Sequence, residues 1–404
     1  MRRSPMLASL TRHKLTVLLL ILQVGFTCAI VCNVASMIGH RTTQMRQPSG
    51  VAEDELVMLE SISVDEHNDP LVRHTSDLAA LRQITGVTAA VAVDALPFNS
   101  NNWSNGIATE PGGNAAVTAT AFNGTPGERQ ALGLRLVAGR DFLPDEYLPI
   151  DSAHDWSGIN HVAATIITRA LADRLFPGQD PLGRLIYPGD GPVRIVGVVD
   201  HLLRPTLDES AGNDYSTLLP LLPDSGNVIY VLRSAPSERG RVLKQATEAL
   251  TRLNSNRVLR HGQTFEQLRA DYFSRDRSMI GLLLAAAGGL LLVTAAGIAG
   301  LASFWVQQRR QAIGIRRAVG ATRENILHYF QLENFLIVSG GIVLGVVLAF
   351  ALNLVLMEHY ALRRLPWFYL PTGAVALWLL GQLAVLGPAL RAAAVPPVVA
   401  TRGG

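Results

Sequence analysis

Cysteine and lysine are almost missing from this 404-residue chain. The two cysteines, Cys28 and Cys32, lie within one apolar run, so no disulfide framework holds the polar part together. Four residues apart, they share one helix face. Lysine occurs only at Lys14 and Lys244, which leaves arginine to carry nearly all the positive charge. The net charge is only +3, and the arginines sit beside apolar runs instead of forming one basic patch, which argues against nucleic acid as a partner. Charge is scarce within those runs, and this argues against an ion- or proton-coupled carrier, which keeps ionisable groups in mid-membrane. Catalytic signatures are missing too. No GxxxxGK[ST] stretch occurs to cradle ATP phosphates, and there is no HExxH, CxxC or GxSxG. The ten histidines are scattered. No catalytic residue, metal site or cofactor is therefore expected in this chain. Asp65, Glu66, His67 and Asp69 read as a solvated loop in preference to a cation site.

Long apolar runs, by contrast, are abundant. Hydrophobic residues make up 49% of the chain, and four runs are long enough to cross a bilayer, which takes about 20 mostly apolar residues. The expected fold class is an α-helical membrane protein with four transmembrane helices and a large α+β extracytoplasmic domain inserted between helices 1 and 2. The expected boundaries are a cytoplasmic amino end at 1–14, a first span at 15–38, the inserted domain at 39–277 and a second span at 278–306. A cytoplasmic connection at 307–333, a third span at 334–357, a short outer loop at 358–369, a fourth span at 370–390 and a cytoplasmic tail at 391–404 follow. The first run exceeds the roughly 7–15 residues of a signal-peptide core and reads as an uncleaved span. Arg2, Arg3, Arg12 and Lys14 precede it, which keeps the amino end in the cytoplasm. Within it, Gln23 and Asn33 are expected to hydrogen-bond to neighbouring helices in the lipid.

In the inserted segment, Glu55–Val64 and Val87–Val93 read as strands around a helix at Thr75–Ile84, an α+β order. Pro97–Asn114 and Pro205–Asn227 read as loops. Val193–Val199 is a β-branched run suited to a buried strand. Thr264–Arg277 reads as a helix capped by Thr264 with Gln267 three residues on. It meets no proline or glycine before the second apolar run, so one unbroken rod is expected there. Small residues recur in the second span at Ala285, Gly289, Ala296 and Gly300, and in the third at Gly341 and Gly345. Such spacing lets helices approach closely, either as a dimer seam or as internal packing.

The connection between the second and third spans, Gln311 to Glu333, is the most informative stretch. Arg309, Arg310, Arg316, Arg317 and Arg323 crowd it, with Glu324 the only acid before its end, as expected of a short cytoplasmic loop. Ile313, Ile315, Ala318 and Val319 give a short helix an apolar face. Gly320 breaks that helix, and Thr322 can cap the next, with Glu324 in its first turn.

The stretch IGIRRAVGATRENIL resembles the IGIRRALGAT segment of the MacB/FtsX-like ABC transporter permeases. LVAGRDF at 136–142, ALADRLFPGQDPLG at 170–183, VRIVGVVD at 193–200 and the closing PALRAAAVPPVVATR resemble other parts of the same family. One residue departs: Ala312 stands where the family has Glu. The resemblance implies that Ile313, Gly314, Ile315, Arg316, Arg317, Ala318, Gly320, Ala321 and Thr322 form an element that couples to an ATPase. It implies as partners a separate ABC ATPase carrying ATP and Mg, a second permease copy or sister permease, a periplasmic adaptor and membrane lipid. The expected place is the bacterial inner membrane, with both termini cytoplasmic and the large domain periplasmic. The expected work is efflux of a drug or peptide. Lipoprotein release and a membrane-anchored sensor remain the alternatives.

Overall fold

The computed structural model describes residues 14–63, 69–99, 103–150, 161–189, 191–208, 212–254, 256–360 and 365–394. The chain forms two compact units, one of Met1–Arg46 with Arg275–Gly404 and one of Gln47–Ser274.

The second unit is an α+β domain of two lobes. In the first lobe a strand–helix–strand pass occurs twice: Leu56–Ser63, Pro70–Arg82 and Val87–Val93, then Asn227–Ser234, Arg239–Leu253 and Arg257–Thr264. The strands lie in the order Arg257–Thr264, Leu56–Ser63, Asn227–Ser234, Val87–Val93, all antiparallel, a split β-α-β arrangement. Alternate residues Val57, Leu59, Ala90, Ala92, Val228, Tyr230 and Leu232 pack against Leu78, Leu81, Val242, Ala246 and Leu250 of the two helices. Beneath that layer lies a buried polar knot. Arg257 donates to Asp77 through Nη1 at 2.6 Å and Nη2 at 2.9 Å, and the Tyr230 hydroxyl donates to Asp77 Oδ2 at 2.6 Å. The ion pair is sealed from solvent, with Arg257 2% and Asp77 0% exposed.

The second lobe is inserted between the two passes. It holds a seven-stranded mixed sheet in the order Ser104–Ile107, Val117–Asn123, Ser216–Leu219, Ala164–Thr168, Val193–Val199, Leu136–Gly139, with Leu185–Ile186 paired to Val193–Val199. The β-branched run Val193–Val199 lies inside the sheet as expected, between Ala164–Thr168 and Leu136–Gly139.

Three expectations need correction: the two loop segments, which contain the strands Ser104–Ile107 and Ser216–Leu219, and the unbroken rod. Arg257–Thr264, which the sequence left unassigned, is an edge strand although Arg, His, Gly and Gln fill it. Short strands are specified by their neighbours, and an edge strand tolerates charge on its open face. The expected rod is two helices, Phe265–Tyr272 and Ser274–Gln308, separated by Phe273 with φ −88° and ψ 9°. The Phe273 ring is buried 5.4 Å from Phe98 and 4.9 Å from Tyr272, so packing draws its backbone out of the helix. The Thr264 cap forms as expected, with Gln267 N donating to Thr264 Oγ1 at 3.3 Å. Asp65, Glu66 and His67 lie outside the described residues, and Asp69 caps Pro70–Arg82 by accepting from Leu71 N at 2.9 Å.

The first unit is a helical bundle. Four helices are long and apolar enough to cross a membrane: Lys14–Met45, Ser274–Gln308, Arg323–Val355 within a helix that continues to Tyr360, and Tyr369–Ala393. The first packs on the third at two glycines. A Cβ at Gly341 would lie 2.6 Å from Val24 Cβ, and one at Gly345 would lie 2.4 Å from Cys28 Cβ and 2.8 Å from Gly25 O. Asn33 Nδ2 donates to Ala349 O at 3.2 Å beside them. Trp378 of the fourth span stacks on Phe335 of the third at 5.4 Å and donates to Ser339 Oγ at 3.0 Å. The second span is held mainly by polar pins to the first. The Thr27 and Thr294 hydroxyls meet at 2.8 Å, Gln23 Nε2 donates to Val293 O at 3.4 Å, and Arg41 pairs with Asp276.

Candidate functional site

The connection between the second and third spans is built from the chain's own stop signals. The second span ends at Gln308, and Arg309 leaves the helical region at φ −100° and ψ 9°. A nine-residue helix, Arg310–Ala318, follows. It ends on a left-handed glycine, Gly320 at φ +107°. There Ala321 N donates to Arg316 O at 3.0 Å and Gly320 N to Arg317 O at 3.2 Å, which satisfies two terminal carbonyls. Thr322 then caps the third span, accepting from Asn325 N at 3.2 Å.

One side of this short helix is anchored. Ile313 and Gly314 are buried, and Ile313 joins the cluster that holds Trp305, Ile326 and Phe330. Glu333, one turn further along the third span and only 3% exposed, accepts from Arg309 Nη1 at 3.0 and 3.3 Å. The Arg309 guanidinium lies 6.0 Å above the Trp305 ring, and that of Arg316 lies 5.3 Å above Tyr329. The other side is bare: Ile315 is 52% and Val319 83% exposed, with Ala312, Arg316, Ala318, Gly320 and Thr322 exposed around them and Arg317 and Ala321 half-buried. The helix is therefore clamped to the third span along one edge and offers a mixed apolar and cationic face along the other.

The small residues of the spans divide. Gly341 and Gly345 are brought into the seam with the first span, whereas Ala285, Gly289, Ala296 and Gly300 are exposed on the second. A Cβ at Gly289 or Gly300 would meet no described atom within 4 Å. The sequence reading missed the Arg309–Glu333 pair. A lone acid just inside an apolar span was its signal, since such a group needs a counter-charge. Glu333→Gln should loosen the short helix by about 1–2 kcal/mol, a figure discounted because Arg309 reaches solvent. Hydrogen exchange at the Ile313 amide, which donates to Arg309 O at 2.9 Å, should speed up accordingly. Unchanged exchange there would show that the clamp carries no weight.

Two family models cover nearly the whole chain. The MacB-like periplasmic core domain matches residues 15–253 and the FtsX-like permease C-terminal matches residues 284–397. The chain belongs to the MacB/FtsX family of ABC transporter permeases. Among curated relatives, the Macrolide export ATP-binding/permease protein MacB of Bartonella henselae is 27% identical over 85% of this chain and 49% of its own length. This MacB/FtsX permease thus spans about half the length of that relative, and 35% of the MacB of Acinetobacter baylyi, which is 29% identical over 55% of this chain. The uncharacterized ABC transporter permease YknZ of Bacillus subtilis is 26% identical over 100% of this chain and 98% of its own length. Among solved structures, the periplasmic region of MacB from Actinobacillus actinomycetemcomitans matches 55% of this chain and 96% of that one, at 15% identity and a TM-score of 0.33. As a transporter permease of this family, the chain is not itself catalytic.

Proposed function

We infer that this permease transmits the motion of a separate ABC ATPase, which binds ATP and Mg, to its inserted domain. The bare face of the Arg310–Ala318 helix carries this reading. An exposed apolar pair, Ile315 and Val319, flanked by arginines on a helix clamped to a span, fits a partner that presses from below. In this reading Ile315, Arg316 and Ala318 touch the ATPase, and Ile313 and Gly314 seat the helix. Arg317, Gly320, Ala321 and Thr322 set the turn that joins it to the third span. Ala312 leaves this face without the acid the family carries there, so contact rests on the apolar pair and the arginines.

The chain would act as a dimer, with a second copy or a sister permease against the second span. It would sit in the bacterial inner membrane, with both termini in the cytoplasm and the inserted domain in the periplasm, where an adaptor protein would meet it. Efflux of a drug or peptide is the proposed work, supported by relatives named for macrolide export. The full chain in detergent should bring down an ABC ATPase and stimulate its hydrolysis. Arg316→Glu and Arg317→Glu should abolish that stimulation and leave membrane insertion intact. An ATPase that fails to copurify, or stimulation unchanged in both variants, refutes the coupling role.

A further inference from the structure

The two lobes of the inserted domain are stitched together where Val93 bridges Gly124. Asp94 N donates to Asn123 O at 3.1 Å, Thr125 N to Ala92 O at 2.9 Å, and Ala92 N to Thr125 Oγ1 at 3.0 Å. The carboxyl of Glu128 folds onto this stitch. A Cβ on Gly124 would lie 2.7 Å from Glu128 Cδ and Oε2, and 3.0 Å from Val93 Cγ1. Glu128 is only 3% exposed, yet its Oε1 has no hydrogen-bond partner. Asn123 Oδ1, wholly buried in the same seam, also has none. Both orphans are acceptor oxygens, and native interiors leave few of those unmatched.

The charged neighbours do not help. Asp94 spends its oxygens on Asn123, accepting from N at 3.0 Å and Nδ2 at 2.6 Å. Asp141 is taken by Arg129 Nε at 2.7 Å, and Arg129 Nη1 donates to Leu134 O at 3.0 Å. On the neighbouring strand Arg233 is held by Glu55 at 2.5 Å and by Gln130 O at 2.9 Å. Tyr147, whose phenol is pushed up by burial and then by Glu128, completes the surroundings. An ionised Glu128 would stand as a dry charge among acids, an arrangement proteins avoid by holding the proton.

We propose that Glu128 is a proton-operated catch: as a neutral acid it closes the seam between the two lobes, and on ionising it loosens it. The proton leaves a neutral carboxyl packed against Gly124, where an ionised one would be a dry charge. Burial first, then Asp94 and Asp141, hold the Glu128 carboxyl well above the usual range, and burial lifts Asp94 to about 6. A folded value raised above the unfolded one gives stability that is complete below the ordinary glutamate range and lost as pH rises through the folded value. The seam is therefore tight in acid and slackens toward alkaline pH. On the periplasmic placement inferred above, the catch reads the pH of the medium.

The test is hydrogen exchange of the Ala92, Asp94 and Thr125 amides in the full chain in detergent, from about pH 5.5 to about pH 8.5 and corrected for intrinsic rates. In the parent protein, corrected protection should fall by up to about tenfold per pH unit below the folded value of Glu128 and level off above it, whereas Glu128→Gln should keep only the small fall that Asp94, lifted to about 6, contributes at the acid end. A flat parent profile, or the same slope in both proteins, overturns the proposal. Should the variant misfold, infrared spectra of the parent provide the check: a buried carboxylic-acid carbonyl band must vanish over the same pH range, and its absence also overturns the proposal. If calcium or magnesium chloride restores alkaline protection in the parent but not in the variant, the seam is a cation site and the proton reading fails.

Discussion

Asp77→Ala is expected to remove about 3–5 kcal/mol from the stability of the inserted domain, enough to unfold its first lobe near physiological temperature. The size follows from what remains. Arg257 is 2% exposed and gives both terminal nitrogens to Asp77, so truncation strands a guanidinium in the core. Tyr230, the largest wholly buried side chain among the described residues, loses the acceptor for its hydroxyl at the same time. Arg73 compounds the loss, because its Nη2 is already buried without a hydrogen-bond partner. Replacing both ends, Asp77→Leu with Arg257→Met, should recover much of the loss, since the pair's own attraction is largely offset by desolvation. Chemical denaturation of the full chain and its two variants measures both numbers. A single variant within about 1 kcal/mol of the parent would show that the pair is solvated and the network loose. The same knot sets an acid limit. Burial pushes His74, whose Nδ1 lies 2.9 Å from the Tyr230 hydroxyl, down to about 4. A depressed folded value gives stability that is complete above the ordinary histidine range and is lost as pH falls through the folded one. The first lobe therefore weakens in acid, the opposite trend from the seam at Glu128.

Gly345→Leu should force the first and third spans apart. A Cβ there meets not only Cys28 but the carbonyl oxygen of Gly25 at 2.8 Å, and backbone does not yield as a side chain does. The expected loss reaches or passes the upper end of the about 1–3 kcal/mol typical of overpacking, with the Asn33 bond to Ala349 O broken as well. Gly289→Leu is the matched control, placed where a Cβ meets no described atom, and should change the unfolding of a single chain by no more than about 0.5 kcal/mol. Unfolding in detergent distinguishes them. Equal effects at the two positions would mean that the seam seen between the first and third spans is not the tight one.

What the sequence made legible follows from how each feature is specified. The four spans announce themselves because lipid leaves a helix no alternative to internal hydrogen bonding over its whole length. The turn at Gly320 and the cap at Thr322 were equally plain, since few residues suit either position. Ser216–Leu219 was hidden because its pairing partners, Val117–Asn123 and Ala164–Thr168, lie far back in the chain, and Ser104–Ile107 because Ser, Asn and Gly carry little strand preference of their own. The break at Phe273 was hidden because burial of one ring outweighed an otherwise favourable helical stretch. At the candidate site the exposed face could be read from periodicity, but the Arg309–Glu333 clamp needed the fold to bring its halves together. Glu128 gave no signal at all, because nothing in the sequence around it marks its carboxyl as buried.

The strand Leu56–Ser63 sits between Asn227–Ser234 and Arg257–Thr264, so both its hydrogen-bonding neighbours are made long after it. At the usual 5–20 residues per second, that apolar segment waits roughly 8–30 s on the ribosome before either partner exists. A product truncated anywhere in the second lobe would never supply them. Such fragments should be the sticky species that quality-control proteases remove first.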